Sequence, residues 1–181
     1  EYIDAISEEI SGNKIPLATY QRHNYLIHGK DVAVIASADK LYKEVKKEAP
    51  NKEEIALVTN GVDLEHFIPF GAEGKLVVPP ELEKIVSKDK PIIGYYGALA
   101  TWTDTDLIAY VAEQRPDYEY VLIGPRYHDR PEFDELDKLP NVHLLGTIHY
   151  NILPQYAHWF DVATIPFVVN EISESTSPIK L

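Results

Sequence analysis

Short apolar runs alternate with segments of helical period along most of this chain. Asp31–Ser37 (DVAVIAS) is a β-branched, apolar run of strand length. Behind it, Ala38, Leu41, Tyr42, Val45 and Ala49 share one helical face. Ser37 is the expected N-cap, Lys46 and Lys47 suit the C-terminal turns, and Pro50 is the stop. Ile55–Val58 predicts a second strand, followed by the turn signal Asn60-Gly61. Residues 64–90 are irregular, broken by Pro69, Gly71, Gly74, Pro79 and Pro80, with a helix expected only over Glu81–Ser87.

A second series starts at Pro91. Its apolar run breaks at Gly94 and Gly97, and a helix follows with Thr103 as N-cap and Asp106 three residues on, a variant capping box. Leu107, Ile108, Val111 and Ala112 form the apolar face, and Arg115-Pro116 marks the end. Tyr118–Ile123 predicts a strand ending at Gly124-Pro125, and Val142–Leu145 one ending at Gly146. Asn151–Phe160 predicts a helix with Pro154 in its first turn, and Asp161–Phe167 a last strand. This alternation predicts an α/β fold, a mostly parallel sheet with helices on both faces. Such sheets bind ligands outside the carboxyl ends of their strands, here the loops 97–102, 124–128, 146–150 and 167–180. The stretch Pro91–Tyr110 is the most telling of these. A strand, a glycine turn and a helix N-terminus make a socket for phosphate, which points to a nucleotide or nucleotide-sugar binder without choosing between them.

Composition narrows this further. The 181 residues are 45% hydrophobic and 25% charged, as in a globular protein of one large domain or pieces of two. A net charge of −12 argues against a nucleic-acid surface and leaves room only for a locally basic anion site. The absence of Cys excludes disulfides and thiolate chemistry. No sequon, signal-peptide pattern or membrane-length apolar run is present, and the seven His residues lack metal-ligand spacing. The chain has no Met and opens on Glu1, so a piece of a longer protein, or methionines absent from the sequence, is expected.

Six segments follow in a telling order: VTNGVDLEHF (58–67), GYYGALATWTDTDLI (94–108), VLIGP (121–125), NVHLLGTIHYNILPQY (141–156), FDVATIPF (160–167) and SESTSPIKL (173–181). Together they resemble the family 4-type glycosyltransferases of the GT-B fold, in the branch associated with bacterial surface polysaccharides. The resemblance covers Asp31 to Leu181. It implies two Rossmann-like domains facing across a cleft, of which residues 1–59 would be the remainder of the N-terminal acceptor domain. Residues 60–181 would be most of the C-terminal donor domain. It implies no cofactor and no metal, a UDP- or GDP-sugar as substrate, and retaining transfer to a glycan or lipid-linked acceptor. A cytoplasmic location follows from it, at the inner membrane face if the protein associates peripherally. With the catalytic groups mostly upstream, the chain by itself is expected to be inactive. A non-catalytic nucleotide-binding or scaffold module of the same fold is the alternative. A dinucleotide-dependent oxidoreductase fits less well, because Gly94-x-x-Gly97 is not the Gly-x-Gly-x-x-Gly fingerprint and no acid ends the strand at Ile123.

The candidate donor-binding residues are Gly97, Trp102, Asp104, Arg126, Gly146, Thr147, Glu171, Glu174, Thr176, Ser177 and Lys180. Many relatives carry an Arg just after the glycine of the first loop and a Lys shortly beyond, both on the diphosphate. Here Ala98 and Trp102-Thr103 stand near those places, so helix N–H groups, Arg126 or Lys180 must meet the charge. Glu171 or Glu174 would stand in for the first Glu of the family's Glu-x7-Glu motif, whose second Glu would lie beyond Leu181. Each candidate also has a plain reading. Gly97 allows close packing, Trp102 fills core, Asp104 is a first-turn acid, Arg126 is solvated, and Thr176-Ser177-Pro178 starts a helix. His128-Asp129-Arg130 reads as a solvated polar loop, His149 as a cap for the following turn, and Lys43, Lys46, Lys47, Glu44 and Glu48 as a charged helix face.

Overall fold

The computed structural model describes residues 17–67, 77–127, 130–170, 173, 175 and 176. Their contacts divide into two units, one within Glu1–Val62 and Val169–Ile179, the other within Asp63–Val168.

In the first unit, α1 (Leu17–His28) precedes β1 (Val34–Ala36), α2 (Asp39–Glu48) and β2 (Ile55–Leu57). β1 and β2 pair in parallel, with Val34 opposite Ile55 and Ala36 opposite Leu57. Ile27, Val34, Val45 and Ala49 form the core against Ile55. Helix α1 lies in a stretch for which the sequence pattern gave no element. The N-cap of α2 is Ala38, without a side-chain cap, rather than Ser37. Lys43 pairs with Asp39 one turn back on the same helix, while Glu48 pairs with His23 of α1.

In the second unit, α3 (Glu83–Val86) leads to β3 (Ile92–Tyr96), α4 (Thr105–Gln114), β4 (Glu119–Ile123), α5 (Glu132–Leu136), β5 (Val142–Gly146), a 3₁₀ turn Tyr150–Ile152, α6 (Leu153–Ala157) and β6 (Val162–Ala163). The strands are all parallel, in the order β5-β4-β3-β6. All five residues of β4 are buried, as a central parallel strand requires. Its alternate side chains divide between two layers. Tyr120 and Leu122 pack with Ile108 and Ala112 of α4 and Phe133 and Leu136 of α5. Val121 and Ile123 pack with Ile85 of α3 and Tyr156 of α6. Helices therefore cover both faces, as the alternation predicts. Three expectations are corrected. The last strand is only Val162–Ala163, the predicted helix over 151–160 splits into a 3₁₀ turn and α6, and the chain turns at 64–67 instead of Asn60-Gly61. Helix α5 occupies a stretch without a predicted element.

The order has a consequence for position. From β3 the chain steps outward to β4 and β5, then returns to the other side of β3 with β6. The reversal lies between β3 and β6, and a crevice at the carboxyl ends of such a pair is where open α/β sheets hold ligands.

Candidate functional site

Three glycines end the strands. Gly97, Gly124 and Gly146 all have positive φ, at 151°, 149° and 70°. The Gly97 N–H donates to Ile123 O and the Gly124 N–H to Gly146 O, each at 2.8 Å. A Cβ at Gly124 would lie 1.8 Å from Gly97 O, so here the requirement is for space as well as conformation. Gly94 is different. A Cβ there would meet the Phe160 ring at 1.9 Å, which makes it a packing residue between β3 and the approach to β6.

The loop after β3 is anchored at most of its positions. Leu99 bridges to Arg126, with Leu99 N–H on Pro125 O at 2.9 Å and Tyr127 N–H on Leu99 O at 2.8 Å. Tyr95 Oη donates to Ala98 O at 3.0 Å. Burial pushes the pKa of the same hydroxyl up to about 12, against a smaller lowering from the Trp102 indole beside it. Thr103, buried, takes the Ala100 N–H on its Oγ1 at 3.2 Å. Its hydroxyl is used inside the loop, and the N-cap of α4 is instead Asp104, whose Oδ1 accepts the Leu107 N–H at 2.8 Å. The chain beyond β6 closes over this loop, with Asp104 N–H on Pro166 O and Val168 N–H on Trp102 O, both at 2.8 Å. After all these bonds, the N–H groups of Ala98, Thr101 and Trp102 have no acceptor among the described residues. The switch point thus carries a fixed loop with backbone donors to spare, beside a helix N-terminus.

Side-chain charge is disposed differently. The Arg126 guanidinium, expected to meet phosphate, donates to Asp134 Oδ1 at 2.7 Å. Arg130, read from sequence as solvated, instead has Nη1 on Ala100 O at 2.6 Å and its guanidinium 5.3 Å from the Phe133 ring centre. The signal in the sequence was Phe133, three residues on, on a helix the pattern did not reveal. Gly146 and Thr147 are exposed at the end of β5. His149 caps the 3₁₀ turn, its Nδ1 accepting the Asn151 N–H at 3.3 Å. His66 stacks on Tyr150 at 4.2 Å and donates from Nε2 to its carbonyl, while Phe67 faces Tyr96 at 5.9 Å. These aromatics follow the Asn60–Asp63 segment and were not singled out by the sequence.

Gly97, Trp102, Asp104, Arg126, Gly146 and Thr147 thus all lie in the loops at the carboxyl ends of this sheet. Thr176 belongs to the first unit, where it lines a cavity of about 620 Å³ with Lys40, Lys43, Lys47 and Thr59. Glu171, Glu174, Ser177 and Lys180, like His128 and Asp129, lie outside the described residues. Among the described residues no group of three or more His, Asp or Glu side chains could hold a metal ion.

No family model matches the chain. TuaH of Bacillus subtilis strain 168, assigned as a teichuronic acid biosynthesis glycosyltransferase, is 28% identical over 151 residues, which are 82% of this chain and 36% of TuaH. Anabaena HepE, solved with UDP and glucose, superposes with a TM-score of 0.61 at 17% identity, over 88% of this chain and 43% of HepE. The chain is thus similar in sequence to a glycosyltransferase and has the GT-B fold over the part it spans. HepE with UDP-glucose gives a TM-score of 0.60 at 17% identity, over 88% of this chain and 44% of HepE. WaaG, a glycosyltransferase involved in lipopolysaccharide biosynthesis, gives 0.50 at 15% identity, over 88% of this chain and 48% of WaaG. The chain therefore spans 36% of TuaH and less than half of each of these solved chains.

Proposed function

We propose that this chain is part of an enzyme that transfers a sugar from a nucleoside-diphosphate sugar, UDP- or GDP-linked, to a polysaccharide or lipid-linked acceptor. Residues 60–181 are read as its donor domain and residues 1–59 as the remainder of the acceptor domain. One observation carries the proposal. At the β3–β6 switch point a rigid loop offers the N–H groups of Ala98, Thr101 and Trp102, beside the N-terminus of α4. That is chemistry suited to a diphosphate, and HepE, of the same fold, was solved with UDP and with UDP-glucose. The donor contacts assigned in this reading are Gly97, Trp102, Asp104 and Arg126 around the diphosphate and sugar, and Gly146 and Thr147 toward the base. Glu171, Glu174, Ser177 and Lys180, outside the described residues, stay in the reading on the resemblance alone, and Thr176, which lines the first unit's cavity, is not counted at this loop.

Transfer would be retaining and would need no metal, the leaving diphosphate being stabilised by the helix N-terminus and basic groups. The enzyme would act in the cytoplasm, at the inner membrane face if it associates peripherally. No helix among the described residues is long and apolar enough to cross a membrane. Calorimetric titration with UDP, GDP and their sugars tests the donor site, and its expected result is saturable binding of one of the two nucleotides. Binding of neither would sink the proposal. Donor turnover is expected from a protein of the relatives' full length and not from these 181 residues alone.

A second reading, a non-catalytic nucleotide-binding or scaffold module of the same fold, draws on Arg126. Its guanidinium is already engaged by Asp134, and the loop has Ala98 where relatives carry a cation. Nucleotide binding without turnover in the longer protein would favour it.

A further inference from the structure

Arg130 closes the gap between a loop that suits a diphosphate and a loop without cationic side chains. Its side chain is 18% exposed, over the Phe133 ring at 5.3 Å from its centre, with Nε 3.5 Å from Glu132 Oε2. Nη1 donates to Ala100 O at 2.6 Å. Ala100 is fully buried, and its peptide is fixed from both sides: its N–H goes to Thr103 Oγ1, and its carbonyl also takes the Thr103 N–H at 3.0 Å. The carbonyl of Ala100 and the N–H of Thr101 belong to the same peptide group. A cation bonded to that oxygen draws electron density along the amide and makes the Thr101 N–H a stronger donor. Thr101 N–H is one of the three groups with no acceptor among the described residues.

We propose that Arg130 is a positioning residue for the loop after β3, supplying through the Ala100–Thr101 peptide the positive charge that the loop's own side chains lack. The ligand chemistry it serves is a nucleoside diphosphate, so the inference rests on the donor-site reading above. Both arginines have an acidic partner, Arg126 in Asp134 and Arg130 in Glu132; what sets Arg130 apart is its bond to the loop carbonyl of Ala100, while Arg126 donates to Asp134 Oδ1.

The test compares a nucleotide with its own nucleoside. UDP and uridine, and GDP and guanosine, are titrated into wild type, Arg130→Met and Arg130→Lys, with thermal midpoints recorded for each. For Arg130→Met the expected result is a loss of about tenfold in diphosphate affinity with nucleoside affinity retained, since the group removed acts on the phosphate end alone. Arg130→Lys keeps the charge and loses the planar fork, and about threefold of the same selective loss is expected. Unchanged diphosphate binding in Arg130→Met would overturn the inference. So would equal losses of nucleotide and nucleoside, which would mark a purely structural role. If Arg130→Met does not fold, the lysine variant decides by the same two criteria. Wild type binding neither nucleotide would overturn the donor-site reading itself, an outcome distinct from either result on the variants.

Discussion

Strand β4 begins with Glu119, fully buried beneath Lys88, Lys90 and His143, and is followed at its other end by Gly124, which has no side chain at all. The amino end is organised by charge. Lys88 Nζ and His143 Nε2 both donate to Glu119 Oε2 at 2.7 Å, and Lys90 Nζ stands 3.4 Å from Oε1. The carboxyl end is organised by backbone, with a glycine of positive φ closing each of three strands and loop peptides bonded to one another. An unpaired carboxylate in the crevice would repel an anionic ligand, whereas loop N–H groups with no acceptor among the described residues cost little in solvent. Ion pairing thus secures the end of the sheet away from the site, while at the site itself the nearby cations act from behind the loop or are held by an acid.

The contrast is open to attack at both ends. The largest effect is expected from Gly124→Ala, where the new methyl carbon would meet Gly97 O at 1.8 Å with a φ of 149°. A loss of about 3 kcal/mol, read by denaturant midpoint, is expected, together with loss of nucleotide binding. A change under about 1 kcal/mol would mean that the strand ends can part and that backbone fit does not define the site.

Next comes Glu119→Gln, which removes the charge shared by Lys88, Lys90 and the His143 ring and is expected to cost about 2 kcal/mol without touching nucleotide affinity. Its pH dependence sharpens the test. Burial pushes the Glu119 carboxyl up, but the hydrogen bonds and charges of Lys88 and His143 outweigh it and leave it below its usual 4.5. Between the lowered native value and the unfolded one the unfolded chain binds more protons, so stability rises with pH there. The contribution is complete above about pH 4.5 and is lost as pH falls through the native value. Wild type should therefore lose stability in acid more steeply than Glu119→Gln, and parallel acid limbs would refute the assignment.

A smaller loss, about 1 kcal/mol, is expected for Asp104→Ala, which removes the α4 cap. If Asp104 also meets a sugar hydroxyl, UDP-sugar affinity should fall more than UDP affinity. The smallest stability effect is expected for Arg126→Ala, about 0.5 kcal/mol or less for a half-exposed ion pair. Its effect on UDP binding decides whether Asp134 releases the guanidinium to the ligand. Calorimetry showing no change would strike Arg126 from the donor contacts.

Much of the second unit was legible because its signals are local. The apolar runs at 92–96, 119–123 and 142–146 and the glycines that end them are features of neighbouring residues, and they placed the crevice loops correctly. What the pattern missed depends on partners distant in sequence. Glu119 sits inside a strand-like run and gave no hint of its burial, since Lys88 and His143 come from other elements. Thr103 and Asp104 are both good caps, and the choice between them was made by the Ala100 N–H, which claims the threonine. Arg126 and Arg130 were judged as loop residues because α5, which supplies Asp134 and Phe133, is only five residues long and carries no clear period. In the first unit, Ser37 is an ordinary cap residue by type, yet the helix begins without a side-chain cap at Ala38.

The chain has only two tryptophans, and they report on different things. Trp102 belongs to the loop after β3 and reaches the Tyr95 hydroxyl, while Trp159 packs in the layer of α3 and α6, its indole nitrogen buried. Replacing Trp159 by Phe would leave Trp102 as the single tryptophan, excited selectively over the tyrosines. Its emission would then follow occupancy of the loop directly, giving the protein an optical readout that needs no label.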